Sequence, residues 1–107
     1  MNKTITKSQN YIIPEAINKF YSEMQMSPEY ILKGYAISAI YSKIDKYKSE
    51  SNLFERKYKC DYHQFKNRIE AMENKENFKW EDDLMDWQFA VENINYWQFK
   101  LKEIEAE

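Results

Sequence analysis

Residues 37–58 read ISAIYSKIDKYKSESNLFERKY, and their spacing decides the fold. Ile37, Ile40, Ile44, Tyr47, Ser51, Phe54 and Tyr58 recur at alternating steps of three and four, and only Ser51 interrupts the apolar series. Such steps put side chains on one seam of an α-helix, and a heptad seam is made to meet a second helix. A second series lies toward the other end: Trp80, Leu84, Trp87, Val91 and Ile94, with Leu101 back in register beyond Gln98. Two such seams in one short chain predict an all-α fold: a long antiparallel two-helix hairpin, coiled-coil-like, with two shorter helices.

Helix boundaries follow from local chemistry. In Ser27-Pro28-Glu29-Tyr30, Ser27 can accept a bond from an orphan backbone N–H and Pro28 has no N–H to lose. The pattern then runs without a breaker to about Tyr58, although Gly34 weakens its turn by roughly 1 kcal/mol relative to Ala. Pro14-Glu15 opens an earlier short helix with Ile17, Phe20, Tyr21 and Met24 on one face, expected to end near Gln25. Asp61 is the expected cap of a third helix that buries Tyr62, Phe65, Ile69 and Met72 and ends among Asn74, Lys75, Glu76 and Asn77. The last helix is predicted from about Trp80 to Ile104. Glu81, Asp82, Asp83 and Asp86 crowd its first turns, where carboxylates meet the positive end of the helix dipole. Residues 1–10 show no periodicity and read as a flexible N-terminal arm, followed by a small extended patch, Tyr11-Ile12-Ile13. No repeat or linker divides the chain, so residues 1–107 are expected to form one helical domain.

Composition supports order and helix. One Gly and two Pro in 107 residues disfavour tight β-hairpins and Gly-lined phosphate loops. An aromatic fraction of 17% with mixed charge is unlike a disordered chain. The net charge of −2 implies no partner by itself, but its distribution is uneven. Pro28–Tyr58 carries six Lys/Arg against four Asp/Glu, and residues 79–107 carry three Lys against eight Asp/Glu. Side by side, these segments have complementary fields, which select an arrangement more than they stabilise it. Cys60 is the only cysteine, so no intramolecular disulfide forms. Residues 1–10 lack the apolar run of a signal peptide and nothing approaches a membrane span, so a cytoplasmic location is expected.

Signals for chemistry are thin. His63 is the only histidine and lies three positions after Cys60, but Cys60 sits between Tyr58 and Tyr62 as a small apolar filler would. Asp82 and Asp86, with Asp83 close by, could hold a hard cation loosely; a solvated acidic turn explains them more simply. No catalytic residue, metal or cofactor is expected. Lys43, Lys46, Lys48, Arg56, Lys57 and Lys59 lie among Tyr41, Tyr47 and Tyr58, a mixture that can grip nucleic acid. Asp45, Glu50 and Glu55 interrupt the stripe and the pI is near 5.5, so direct nucleic-acid binding is a minor reading. The polar faces lack the Lys/Arg belt of a membrane-surface helix. Met85, Phe89, Tyr96, Trp97 and Phe99 widen the apolar face of the last helix beyond its seam. Core packing against the first or third helix is the favoured reading of this second stripe, and a docking surface is the alternative.

Two stretches carry a resemblance. Phe54-Glu55-Arg56-Lys57-Tyr58-Lys59-Cys60-Asp61-Tyr62-His63-Gln64-Phe65 resembles F-x-x-K-Y-G-x-S/T-x-x-x-F, with Lys59 where Gly is usual. Phe78-Lys79-Trp80-Glu81-Asp82-Asp83-Leu84-Met85-Asp86-Trp87 is the second. Over roughly the second half, the chain resembles small helical antitoxin-like proteins of prokaryotic toxin–antitoxin pairs. The resemblance implies a non-enzymatic protein that neutralises a cognate toxin by occluding its active surface. On that reading Trp87, Phe89, Tyr96 and Phe99 would be anchors, and Asp82, Asp83 and Asp86 charge partners. Lys59 in place of Gly implies a helix end of different shape at Tyr58. Two other functions remain open: a self-associating, homo-oligomeric bundle and a small nucleic-acid-binding regulator.

Overall fold

The computed structural model describes residues 14–72 and 78–107. The readings for residues 1–10, for Tyr11-Ile12-Ile13 and for the run Asn74 to Asn77 lie outside the described residues. The described residues form four helices and no strand: α1 (Glu15–Glu23), α2 (Pro28–Tyr58), α3 (Tyr62–Glu70) and α4 (Phe78–Glu105). No described helix is long and apolar enough to cross a membrane.

The helix ends are made as their residues dictate. Ser27 Oγ accepts the Tyr30 N–H at 3.1 Å, and Pro28 occupies the first turn of α2. At the other end Lys59 takes the left-handed conformation, φ 57° and ψ 38°, and donates its N–H to the Glu55 carbonyl at 2.7 Å. The chain thus closes α2 with the backbone shape that Gly usually supplies, on a lysine. The implied different shape is not what the backbone adopts. Asp61 starts α3 with a reciprocal capping box: its Oδ1 accepts the Gln64 N–H at 2.8 Å, and Gln64 Oε1 accepts the Asp61 N–H at 3.0 Å. α3 stops at Glu70, earlier than its sequence suggests, because the Met72 N–H folds back on the Ile69 carbonyl and tightens the last turn. α1 ends at Glu23, with Gln25 at φ 56° in the turn to α2.

α2 and α4 lie along each other, and their contacts run in opposite order. Tyr58 meets Asp83, Phe54 and Ser51 meet Trp87, and Tyr47 meets Phe89. Ile40, Ile44 and Tyr47 are buried on α2, and the rest of its seam is half-buried. On α4 the innermost residues are Asp83, Trp87 and Ala90, with Ile94 and Leu101 half-buried further along. α3 closes one end of the pair, packing Tyr62, Phe65 and Ile69 around Trp87. The Tyr58 ring stacks on Phe65 at 4.1 Å, Phe54 stacks on Trp87 at 5.7 Å, and Tyr62 meets Trp87 edge-on at 5.9 Å. Aromatic contacts at such separations add directional preference to burial. This core is local: among the described residues none before Ile40 and none after Ala90 is buried. α1 buries no residue at all.

Candidate partner-binding surface

The inner wall of the candidate surface begins with Asp83, which is buried although it is charged. Its Oδ2 accepts the Lys57 ammonium at 2.7 Å and also the Tyr58 hydroxyl, while Lys79 reaches its Oδ1 at 3.6 Å. Burial pushes this carboxyl up, but the bonds donated by Lys57 and Tyr58 outweigh it and hold the group below its ordinary value. In return, the bond to Asp83 raises Lys57 despite some desolvation, and burial together with the same carboxylate raises the Tyr58 phenol. Asp83 is thus a structural tie between the end of α2 and the start of α4. The dipole role expected of it is secondary to that tie, and its buried carboxylate is already engaged by Lys57, Tyr58 and Lys79.

Trp87 is likewise interior, 1% exposed, with its indole N–H donated to Ser51 Oγ at 2.9 Å. The other residues named as partner-binding lie outside. Asp82 and Asp86 are exposed, and Phe89, Tyr96 and Phe99 are 56%, 49% and 59% exposed. Neither α1 nor α3 covers them. The second stripe of α4 is therefore surface, contrary to the core packing that its aromatics suggest, because α3 caps only the end near Trp87 and α1 buries none of its own residues. Trp97 alone of that group is half-buried.

One regularity in the exposed stripe escaped the sequence reading. Phe78, Asp82, Met85, Phe89, Glu92, Tyr96, Phe99 and Glu103 follow one another at strict alternating steps of four and three, and all eight are exposed. This is a second heptad row on α4, five apolar or aromatic positions interleaved with three carboxylates. A search for apolar residues alone passes over it, since the acids occupy seam positions.

Beside the row, α2 and α4 leave a groove of about 290 Å³ lined by Glu50, Leu53, Phe54, Lys57, Asp86 and Phe89. Glu50 Oε2 is shielded from solvent there and has no hydrogen-bond donor among the described residues. An unmet acceptor of this kind costs about 1–3 kcal/mol.

Other candidate chemistry does not assemble. Cys60 packs against the core cluster as a half-buried filler, and His63 is exposed with its ring against Tyr62. Among the described residues no three His, Cys, Asp or Glu side chains converge as a metal site. Of the basic stripe, Lys57 is tied to Asp83, while Lys43, Lys46, Lys48, Arg56 and Lys59 are exposed. Compared with known proteins, the chain matches no family model, no curated protein and no solved structure.

Proposed function

We propose that this chain is a non-enzymatic protein-binding module, antitoxin-like, which neutralises a cognate toxin by covering its active surface. In this reading α2 and α4 form a long antiparallel, coiled-coil-like hairpin, and the outward row of α4 is its working face. One observation carries the proposal: the uncovered heptad row from Phe78 to Glu103, in which exposed aromatics alternate with acids. A heptad row is suited to another helix or an elongated surface, and its carboxylates select a basic one. The aromatics supply anchor area, the role such residues hold at binding hot spots. The sequence resemblance to antitoxin-like proteins points the same way, and with it the cytoplasm of a prokaryote as the setting.

Self-association through the same row fits less well. Two copies paired antiparallel would set Glu103 against Phe78, Asp82 against Phe99 and Glu92 against Phe89. Paired in parallel, each acid would meet itself. Either arrangement desolvates three carboxylates, of which Glu92 keeps only the bond from Gln88 and Glu103 only the ion pair with Lys100, and such burial is costly. A basic partner offsets that cost with opposite charge.

The test is co-expression with the product of the adjacent reading frame, scored by co-purification and by rescue of growth. Asp83 and Trp87 stay untouched, since they hold the core. Wild type is expected to co-purify and to rescue. Asp82→Lys/Asp86→Lys and Phe89→Ser/Phe99→Ser are each expected to lose both while remaining helical. Full binding by both double variants would end the proposal.

A further inference from the structure

We propose that the groove between α2 and α4 is a guanidinium pocket, which receives an arginine side chain presented by a partner protein. This deepens the toxin-binding reading and rests on it for the partner's nature, though not for the pocket itself. The groove combines an apolar wall, Leu53, Phe54 and Phe89, with two carboxylates, Glu50 and Asp86. Its sole cation, Lys57, is already bonded to Asp83 at 2.7 Å. Counting Glu50, Asp86 and Asp83 against Lys57 and Lys79, which also reaches Asp83, the ionised groups around it leave one negative charge unmatched.

The chemistry selects arginine. Its three-carbon stem can lie on Leu53 and the Phe89 ring, and its planar fork can meet more than one carboxylate and stack on an aromatic face. Glu50 and Asp86 together offer a guanidinium two carboxylates at the groove. At about 290 Å³ the groove lies at the lower edge of the ~300–1,000 Å³ typical of small-molecule pockets, which suits one side chain better than a metabolite. Phe89 and Asp86 border both the groove and the outward row of α4, so a partner seated on the row has this pocket within reach.

The experiment needs no toxin. Isotope-labelled full-length protein is titrated with Nα-acetyl-arginine methylamide and, separately, with the neutral citrulline analogue, while backbone amide shifts are followed by NMR. The arginine compound is expected to give saturable shifts at millimolar concentration, centred on residues 50, 53, 86 and 89. Citrulline, which lacks the charge, is expected to bind about tenfold more weakly. Glu50→Gln is expected to abolish the localised response. Leu53→Lys, at a position 58% exposed and so safe for folding, is expected to block it by placing a competing ammonium at the rim. Equal shifts from citrulline, shifts spread over all acidic residues, or an unchanged response in a folded Leu53→Lys variant would overturn the pocket. The two readings fail separately: arginine capture without co-purification removes the toxin partner alone, and co-purification without arginine capture removes the pocket alone.

Discussion

Ser51 Oγ accepts the indole N–H of Trp87 at 2.9 Å, across the interface between α2 and α4. Trp87 is almost wholly buried, so its N–H must find an acceptor inside the protein or go without. The one polar residue in the apolar seam of α2 is therefore the residue that the seam needs at that level. Replacing Ser51 by Ala leaves the N–H unmet and is expected to cost about 1–3 kcal/mol. For a domain of this size the melting temperature should fall by roughly 4–20 °C. In Trp87→Phe the N–H is gone, so Ser51→Ala on that background should cost markedly less. A thermal double-mutant cycle checks this, and strict additivity would refute the coupling.

The tie at Asp83 predicts how stability depends on pH. The folded carboxyl lies below its ordinary value of 3.8, so its contribution is complete above that value and disappears as pH falls through the lower folded one. Lys57 and Tyr58 are both raised from 10.5 and 10.0, so their contributions are complete below those values and fade as pH climbs through the higher folded ones. Urea melts should therefore show a plateau between these limits with a falling limb on each side. Asp83→Asn is expected to flatten both limbs. Asp83→Ala should cost about 2–3 kcal/mol at neutral pH, less than a fully enclosed pair because the Lys57 head reaches water. An acid limb unchanged in Asp83→Asn would assign it to other carboxylates.

The seam of α2 and the starts of α2 and α3 could be read from sequence because each rests on local rules: heptad spacing at Ile40, Ile44 and Tyr47, and caps at Ser27 and Asp61. Asp83 and Ala90 could not. A buried carboxylate is recognised only when its donors are in place, and Lys57 and Tyr58 come from 25 or 26 positions away. Alanine carries too little apolar weight to mark a seam, yet its small size suits the close approach of two helices. For the candidate surface, Phe89, Tyr96, Phe99, Asp82 and Asp86 were legible as residue types, but their exposure was not. That depends on where α1 and α3 pack, a tertiary outcome that amphipathic spacing leaves open.

Two positions, Gly34 inside α2 and Lys59 at its C-terminal cap, carry backbone costs that substitution can remove. Lys59 holds a left-handed conformation that disfavours a side chain by about 1–2 kcal/mol, partly offset by the greater freedom of Gly in the unfolded chain. Lys59→Gly is expected to stabilise by about 0.5–1 kcal/mol. Gly34 lies within α2 with open space around any added Cβ, so Gly34→Ala should add about 1 kcal/mol. The two sites are distant and the gains should add. Chemical denaturation of both singles and the double measures this; a loss at either position would show a constraint from contacts outside α2.

Phe20 and Phe65 sit in equally convincing amphipathic patterns, but Phe65 is 1% exposed and Phe20 is 52% exposed. Phe65→Ala should empty a site bordered by Tyr58, Tyr62 and Trp87 and cost about 3–5 kcal/mol. Phe20→Ala should change stability by less than about 0.5 kcal/mol, because α1 buries nothing that its loss could expose. Phe99→Ala, on the outward row of α4, should behave like Phe20→Ala in the free protein. Urea melts of the three variants decide the matter. A cost above 2 kcal/mol for Phe20→Ala would mean that α1 is docked in solution. The same result for Phe99→Ala would mean that the outward row is already occupied, as it would be in a self-associated bundle, and the surface proposed for a partner would then be spoken for.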